Sequence, residues 1–347
     1  MSKFWTVTRY IFVIAACAAI LIMTACVVVG IGILRSRPER RAADVFGQGS
    51  GTGYSHVAVF ARGGRALGTR SPLSYLDDGT SLSVDDIGSI RMSLQGVVDL
   101  ASGNKKTRRE MPEKLEGWSD CYSTFLKSTV SVKRKDNEED HEADIYAVEG
   151  SFTVMHPFEF MSGGFLTSDT TDRYQVVLND ALAWKIYSSY DVTGERISLL
   201  GRDYTVIGVV REHEGNAPRA YISFACLEEY CGGLDTNVIP AVMCYEAIIP
   251  EQARGSARLD VCNAIPGYNI SSPDFRVISV TGRYNIFKAG GEENPSGYEL
   301  PYWEENALKA ESDIKTSVTV FAFGLVLILG LALGFVSSMA FARRDED

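Results

Sequence analysis

The sequence has two long stretches that lack charge entirely. No Asp, Glu, Lys or Arg occurs between Tyr10 and Leu34 or between Ser317 and Ala342, which are runs of 25 and 26 residues. As helices with a rise of about 1.5 Å per residue, they would extend roughly 37–39 Å, which exceeds the ~30 Å hydrocarbon core of a bilayer. Residues 10–34 and 317–342 are therefore predicted to be transmembrane helices, which excludes an ordinary soluble enzyme. The first run is too long for a cleaved signal peptide, so we expect an uncleaved anchor.

Motifs of catalysis and of nucleotide or metal binding are also missing. The sequence contains no G-x-x-x-x-G-K-[ST] phosphate loop, no H-E-x-x-H zinc motif and no G-x-S-x-G nucleophile elbow. The Gly-rich segment 63–68 lacks the lysine of a phosphate loop. The histidines show no zinc-ligand spacing and are predicted to be isolated surface residues: His56, His141, His156 and His213. We expect no catalytic, cofactor-binding or metal-binding residues, and no enzymatic activity.

Between the two apolar runs, acidic residues outnumber basic ones. Residues 35–316 hold 30 Lys and Arg against 41 Asp and Glu, and the formal net charge of the whole chain is −10. A surface that binds nucleic acid should instead be basic. The sequence therefore argues against a nucleic-acid-binding protein.

The seven cysteines include no C-x-x-C pair. Cys17 and Cys26 lie in the first apolar run, and five others lie between the runs: Cys121, Cys226, Cys231, Cys244 and Cys262. Because five is odd, at least one of these must stay unpaired within the chain. Two interpretations remain open: small buried residues, or one disulfide in an oxidising compartment, with Cys226 and Cys231 as the candidate pair.

The pattern between the two runs predicts a domain of mixed strands and helices. Tyr204–Val210 is rich in β-branched residues, as is typical of a strand. Ser83 followed by Asp86 and by apolar residues at helical spacing is typical of a capped helix. The highly charged segment 133–144 is predicted to be a solvated turn. Strand pairs with isolated helices indicate an α+β fold for residues 35–300.

Residues 301–316 are predicted to form a stalk helix that continues into the second transmembrane helix. The segment contains two oppositely charged pairs at i,i+4 spacing, which favours a helix: Glu305/Lys309 and Glu311/Lys315. Tyr302 and Trp303 would suit a membrane–water boundary or would pack against the domain, and the sequence leaves both open.

Small residues in the apolar runs suggest helix–helix packing. Gly330 and Gly334 form a G-x-x-x-G motif, which lets two helices approach closely in lipid. Ala15 and Ala19 form a weaker surface of the same kind. Small residues are common in membrane helices, so packing against a partner and the absence of any role both remain open.

Four blocks in the middle of the chain resemble a known family. They are Gly163-Gly164-Phe165-Leu166, Tyr174 to Ala183, Asp191 to Ile197 and Tyr204 to Val210. In order and spacing they are similar to the MacB-type periplasmic core domain, whose pattern has a glycine turn, a strand followed by a helix, a "d.vGk.i" turn and a "ytVvGvv" strand. The likeness covers residues 57–280 and is best in 160–211.

The resemblance implies an α+β domain of two lobes, one formed by its beginning and end and the other inserted at roughly 115–232. It also implies that the chain is related to the FtsX-like ABC permeases. In these proteins a first membrane helix leads into a large extracytoplasmic domain, and three further membrane helices follow. Such permeases work with a separate cytoplasmic ATPase. This sequence ends five residues after its second apolar run, so we expect the chain to lack the elements that couple directly to an ATPase.

Two functions follow from the resemblance. In the first, the chain is a non-catalytic subunit of a MacB/FtsX-like complex, whose domain binds a substrate, peptide or envelope protein and relays motion from an FtsX-like permease and an ABC ATPase. ATP would bind only to that ATPase. In the alternative, the chain is a standalone membrane-anchored binding or scaffold protein with no ATPase partner.

Two observations disagree about which side of the membrane the domain lies on. The resemblance places residues 35–316 outside the cytoplasm, and the terminal segments 1–9 and 343–347 within it, in a cell-membrane protein. A simple Lys and Arg count near the apolar runs, four on the terminal side against six on the domain side, favours the opposite orientation. Because long domains translocate despite flanking charge, we predict an extracytoplasmic domain.

Overall fold

The computed structural model describes residues 2–62, 73–75, 81–103, 115–134, 137–167, 172–212, 217–234, 238–268, 274–284 and 298–344. The chain divides into two compact units. The helical unit consists of Met1–Arg37, Tyr284–Glu293 and Glu305–Asp347, and the sheet domain consists of Pro38–Arg283 and Asn294–Glu304.

Two long helices make up the described part of the helical unit. Helix α1 spans Ser2–Arg35, and the last helix of the chain, α8, spans Tyr302–Arg344. Both are long and apolar enough to cross a membrane, over Tyr10–Arg35 and Tyr302–Met339, and few of their side chains are buried within the protein. The apolar runs predicted from the sequence thus lie within two helices. The first three residues of α8 belong to the sheet domain.

The sheet domain is built on one large mixed sheet. Its strands are β1 (Tyr54–Ala61), β3 (Ser119–Arg134), β4 (Asn137–Gly150), β5 (Glu159–Gly163), β6 (Gln175–Asn179), β7 (Arg196–Leu199), β8 (Arg202–Arg211), β9 (Arg219–Ser223), β11 (Cys244–Pro250) and β12 (Phe275–Ser279). Within the described residues the order is β12-β1-β11-β3-β4-β9-β6-β8-β5, and β7 pairs with β3 and β8. The pairs β4/β9 and β6/β8 are parallel. Two short strands, β2 (Leu73–Tyr75) and β10 (Val238–Pro240), pair separately.

The described helices of the sheet domain pack against the strands. They are α2 (Ala42–Phe46), α3 (Val84–Ala101), α4 (Phe152–Met155), α5 (Asp180–Tyr187), α6 (Phe224–Leu234) and α7 (Ser256–Ala264), preceded by a 3₁₀ turn at Pro38–Arg41. Helices α3 and α7 pack near β1 and β11, whereas α5 packs on β6 and β8 and α6 on β4 and β9. The mixture of parallel and antiparallel strands with separate helices confirms the predicted α+β class.

Strand order separates the early and late parts of the domain from its middle. The three strands β1, β11 and β12 are adjacent at one side of the sheet, and the strands from β3 to β9 form the rest. The two groups join where β11 pairs with β3, for example Cys244 opposite Ser123. The predicted inserted segment, 115–232, therefore contributes one contiguous part of the sheet.

The charged segment 133–144, predicted to be a solvated turn, is mostly strand instead. Residues 135 and 136 lie outside the described residues, and β4 begins at Asn137. The strand pairs with β3 over its whole length, so that Lys133 lies opposite Glu138 and Val132 opposite Glu139. Cross-strand pairs of opposite charge and an apolar partner strand stabilise a charged strand, which the composition of the segment alone did not indicate.

The local signals for the cap and for the apolar face of helix α3 are confirmed. The Ser83 hydroxyl accepts a hydrogen bond from the Asp86 backbone, and the Asp86 carboxylate accepts one from the Ser83 backbone, which is a complete capping box at the start of α3. Ile87, Ile90 and Leu94 are fully buried. In these cases residues within one turn determine the element, so the sequence was sufficient.

Two glycines of the resembling blocks are required by a close backbone approach. Gly163, at the end of β5, has φ +63°, and a Cβ there would lie 2.8 Å from the Cα of Gly208 in β8. A Cβ on Gly208 would lie 2.9 Å from the backbone nitrogen of Gly164. Because real Cβ atoms do not approach backbone so closely, only glycine fits both positions.

Candidate functional site

The first turn of α8 lies inside the sheet domain. Trp303 and Glu304 are buried, with 9% and 2% of their surface exposed, and Tyr302 is partly buried. The Glu304 backbone donates to the carbonyl of Pro301 at 2.9 Å, which starts the helix directly after a proline. Residues from β4, α4, β9 and β12 surround these three side chains, and Glu212, directly after β8, joins them through Tyr221. We call this region the helix socket.

Tyr302 joins a buried polar network in the helix socket. Its hydroxyl lies 2.9 Å from the hydroxyl of Tyr221 in β9, which donates to Glu212. Arg219 also donates to Glu212, and its guanidinium lies 3.9 Å from the centroid of the Tyr302 ring. The Asn179 amide donates to Glu212 at 3.1 Å. Burial raises the pKa of Glu212, while the Arg219 charge and these hydrogen bonds oppose that shift.

Trp303 packs in an aromatic cluster. Its ring centroid lies 5.4 Å from that of Tyr146 in β4, 5.5 Å from Phe152 in α4 and 4.6 Å from His156. Aromatic pairs at such separations contribute beyond the area that they bury. Of the two placements left open for Tyr302 and Trp303, the structure shows packing against the domain.

Glu304 faces two arginines. Arg283 forms two hydrogen bonds with its carboxylate, at 2.5 and 2.9 Å, and Nη1 of Arg276 lies 3.3 Å from it. Burial raises the pKa of Glu304, and both guanidinium groups oppose that shift. A two-point arginine–carboxylate contact fixes direction as well as distance, so this contact holds the start of α8 to the segment that follows β12.

A third buried carboxylate is linked to Trp303 through His156. Glu246, on β11, is 2% exposed; its two oxygens lie 3.1 Å from Nε2 of His56 and 2.6 Å from Nε2 of His156. Burial opposes ionisation of Glu246, but the two imidazoles hold the pKa of its carboxyl well below the ordinary value. His156 in turn contacts Trp303, so this group supports the aromatic cluster.

Two of the four histidines were therefore predicted wrongly. His56 and His156 are not isolated surface residues, because both are buried on Glu246. His141 is partly exposed, 3.9 Å from Glu139, and His213 lies outside the described residues. The one available signal was a glutamate inside the apolar strand segment Cys244–Pro250, since a charge in such a strand requires a partner.

The cysteines are all unpaired, which favours small buried residues over a disulfide. Cys121, Cys226, Cys231, Cys244 and Cys262 are buried. The candidate pair, Cys226 and Cys231, lies within one helix, α6. Among the residues that the structure describes, no group of three or more His, Cys, Asp or Glu side chains is arranged to hold a metal ion.

The structure places the predicted stalk residues along α8. Glu311 and Lys315 form an ion pair at 3.2 Å, whereas Glu305 and Lys309 are both exposed and do not form one. Trp303 is the predicted stalk residue that belongs to the helix socket. Tyr302 was named with it, whereas the socket residues outside α8 were not found from the sequence, because they are distant along the chain.

The predicted helix-packing residues behave differently from one another within the helical unit. A Cβ on Gly334 would lie 3.1 Å from the ring of Phe12 in α1, and one on Gly324 would lie 2.6 Å from Met23. Ala19 is buried and Ala15 partly so. A Cβ on Gly330 would have no neighbour within 4 Å, so Gly334 serves contacts within the chain and Gly330 faces away from them.

Comparison with known proteins gives one family and several solved structures. The family described as MacB-like periplasmic core domain matches residues 13–239. No curated protein sequence matches the chain.

The solved structures are similar at low identity. The periplasmic region of MacB from Actinobacillus actinomycetemcomitans is 15% identical, with a TM-score of 0.43 over 67% of this chain and 91% of that one. The extracellular domain of the noncanonic ABC-type transporter YknZ from Gram-positive bacteria is 14% identical, with a TM-score of 0.42 over 65% of this chain and all of that one. A domain of a putative permease from Porphyromonas gingivalis is 14% identical, with a TM-score of 0.35 over 65% and 87%.

Replacing Glu304 tests the helix socket. We expect Glu304→Ala to lower the free energy of unfolding by about 3 kcal/mol or more, because removing one member of a buried ion pair leaves charge without its counterpart. Urea unfolding of the detergent-solubilised chain, followed by near-UV circular dichroism, measures the change. Glu305→Ala is the matched control: this adjacent residue is exposed, and the expected change is within about 0.5 kcal/mol. Equal effects of the two variants would contradict the assignment.

The lowered pKa of Glu246 predicts how its protonation and its contribution to stability depend on pH. Because its pKa is lower in the folded chain than in the unfolded one, its ionised form contributes stability above the unfolded pKa of about 4.3, and this contribution is lost as the pH falls through the folded value. Infrared difference spectra of wild type against Glu246→Gln should show no protonated carboxyl at pH 3.5. The urea-unfolded chain, treated in the same way, should show this carboxyl mostly protonated, because its unfolded pKa is about 4.3. A protonated Glu246 carboxyl in the folded chain at pH 3.5 would show that the histidines do not hold it ionised.

Proposed function

The chain belongs to the MacB-like periplasmic core domain family, and from that premise we propose that it is a non-catalytic membrane subunit of a MacB/FtsX-like ABC transporter complex. Its sheet domain binds a substrate, peptide or envelope protein. An FtsX-like permease contacts its membrane helices, and a separate cytoplasmic ATPase binds the ATP. The family match over residues 13–239 is the observation that carries this proposal.

The proposed mechanism is a relay of motion rather than a chemical reaction. Helix α8 is continuous from Tyr302 to Arg344, and its first turn is fixed in the helix socket by Glu304 and Trp303. A helix whose hydrogen bonds are unbroken transmits displacement along its axis, whereas a flexible linker absorbs it. Movement of a permease against the apolar part of α8 would therefore reach the sheet domain through β12 and β4.

The helix socket supports this relay by its chemistry. Its carboxylates are engaged by arginine, histidine, tyrosine and asparagine side chains, and its aromatic rings are packed against each other. These contacts are directional, and buried polar networks of this kind favour one arrangement over others. They fit a mechanical attachment better than a catalytic centre, which needs an accessible reacting group.

We also propose that the sheet domain is extracytoplasmic and that both chain ends are cytoplasmic, in the cell membrane. The periplasmic location in the family's description supports this orientation. The Lys and Arg count opposes it, but that rule weakens for long translocated domains.

Sidedness is tested by a cysteine placed on the exposed part of β4. In a background without native cysteines, Glu139→Cys should react with a membrane-impermeant maleimide in intact cells, because Glu139 is exposed. Ser2→Cys, in the terminal segment, should react only after lysis. The reverse pattern would place the sheet domain in the cytoplasm and refute the orientation.

Co-purification tests the complex and the contact with a partner helix together. Affinity purification of the tagged full chain in mild detergent should recover an ABC ATPase and a multi-helix permease. Gly330→Leu should reduce their recovery several-fold, because the surface at Gly330 is open within the chain and small residues permit close helix packing. Ala332→Leu, also exposed but on a different face of α8, should not.

Recovery of neither protein, with a stable chain in hand, would favour the standalone scaffold instead. Equal recovery with Gly330→Leu and wild type would leave the complex supported and would refute the role of Gly330.

A further inference from the structure

A cavity on the sheet domain, away from the helix socket, combines aromatic rings with a carboxylate. It measures about 210 Å³ and lies between α6, Tyr174 directly before β6, and the first residues of β8. Its lining includes three tyrosines, Tyr174, Tyr204 and Tyr230, together with Glu229 and Arg202. The apolar remainder of the lining comes from α6 and from the turn before β8.

Two of the three tyrosines are held in fixed orientations. The rings of Tyr174 and Tyr204 meet edge to face, with centroids 5.6 Å apart and planes at 90°. Tyr204 is 1% exposed and so forms the floor of the cavity. The Tyr174 hydroxyl donates to Oε1 of Glu229 at 2.6 Å, which fixes the ring at the rim.

Helix periodicity explains why α6 supplies the other wall. Cys226, Glu229, Tyr230 and Gly233 are spaced i, i+3, i+4 and i+7, which places them on one face of the helix. Gly233 carries no side chain, so this face leaves room above the carboxylate. Glu229 and Tyr230 thus present a negative charge and a ring side by side.

The cavity already engages one cation of the chain itself. Nη2 of Arg202 lies 3.1 Å from Oε1 of Glu229, and the Arg202 guanidinium carbon lies 5.9 Å from the centroid of the Tyr174 ring. The Arg202 side chain is nevertheless 61% exposed, and that of Glu229 38%. An ion pair at such exposure stabilises a protein by about 0.2–1 kcal/mol, so another cation can displace Arg202.

We propose that this cavity binds an organic cation, a guanidinium or ammonium group, in place of Arg202. Aromatic faces and a carboxylate attract such groups through the ring quadrupole and by direct charge. A volume of about 210 Å³ is smaller than the roughly 300–1,000 Å³ of drug-sized sites, which favours one side chain or a small amine. An Arg or Lys side chain of a peptide and a free diamine share this chemistry. The site does not depend on an ATPase partner.

Binding of defined probes to the full chain in nanodiscs tests the proposal. Two probes are titrated by isothermal calorimetry: the peptide acetyl-Gly-Arg-Gly-amide and putrescine. We expect Glu229→Gln to weaken binding about tenfold, because the charge that attracts the cation is lost, and Arg202→Gln to strengthen it several-fold, because the internal competitor is removed. Glu228→Gln, the exposed neighbour on α6, should leave the Kd unchanged.

The opposite responses of Arg202→Gln and Glu229→Gln distinguish a binding site from general destabilisation, which would weaken binding in both. Circular dichroism confirms that each variant is folded. A peptide Kd at least tenfold below that of putrescine would identify a peptide side chain as the ligand, and the reverse ratio a free amine; either supports an organic-cation site. Absence of binding by both probes, an unchanged Kd in Arg202→Gln, or equal loss in Glu228→Gln and Glu229→Gln would overturn the proposal.

Discussion

The two-point contact between Glu304 and Arg283, with Arg276 beside it, is the interaction on which the start of α8 depends. A charged residue is costly to bury unless it is paired and hydrogen-bonded, and Glu304 is 2% exposed. Because the contact requires Glu304 at one position of the first turn, it fixes where the helix starts and which face of that turn points into the sheet domain. Trp303 then lies among Tyr146, Phe152 and His156.

Each buried carboxylate around the helix socket is paired with arginine or histidine side chains. Glu212 is paired with Arg219, Glu246 with two histidines and Glu304 with two arginines. An apolar interior of similar volume would serve stability equally well, so charge pairing is better explained as a means of fixing one geometry. This is what a domain needs if it is to follow the movement of a helix. The glycines at Gly163 and Gly208 fix geometry by other means, since they permit two backbones to touch.

Much of the fold could be predicted from the sequence, and little of the socket. Ser83 and Asp86 are three residues apart, and the β-branched run at Tyr204–Val210 is continuous, so each pattern lies within one element. The helix socket instead joins His56 to Glu246 and Tyr221 to Tyr302, across 190 and 81 residues. No local pattern records such a pairing. The charged segment 133–144 was wrongly predicted to be a turn for the same reason, because its strand conformation depends on pairing between β4 and β3.

The sequence by itself determined the two apolar helices, the α+β class and the family, since charge-free length, residue periodicity and ordered motifs are properties of short segments. Tertiary structure alone decided that Trp303 packs against the domain, that two histidines are buried, that all the cysteines are unpaired and that Gly334 rather than Gly330 contacts α1. Each of these depends on which distant segment occupies the neighbouring space. That choice is made by the packing of the whole chain, where burial must be balanced against the cost of burying charge.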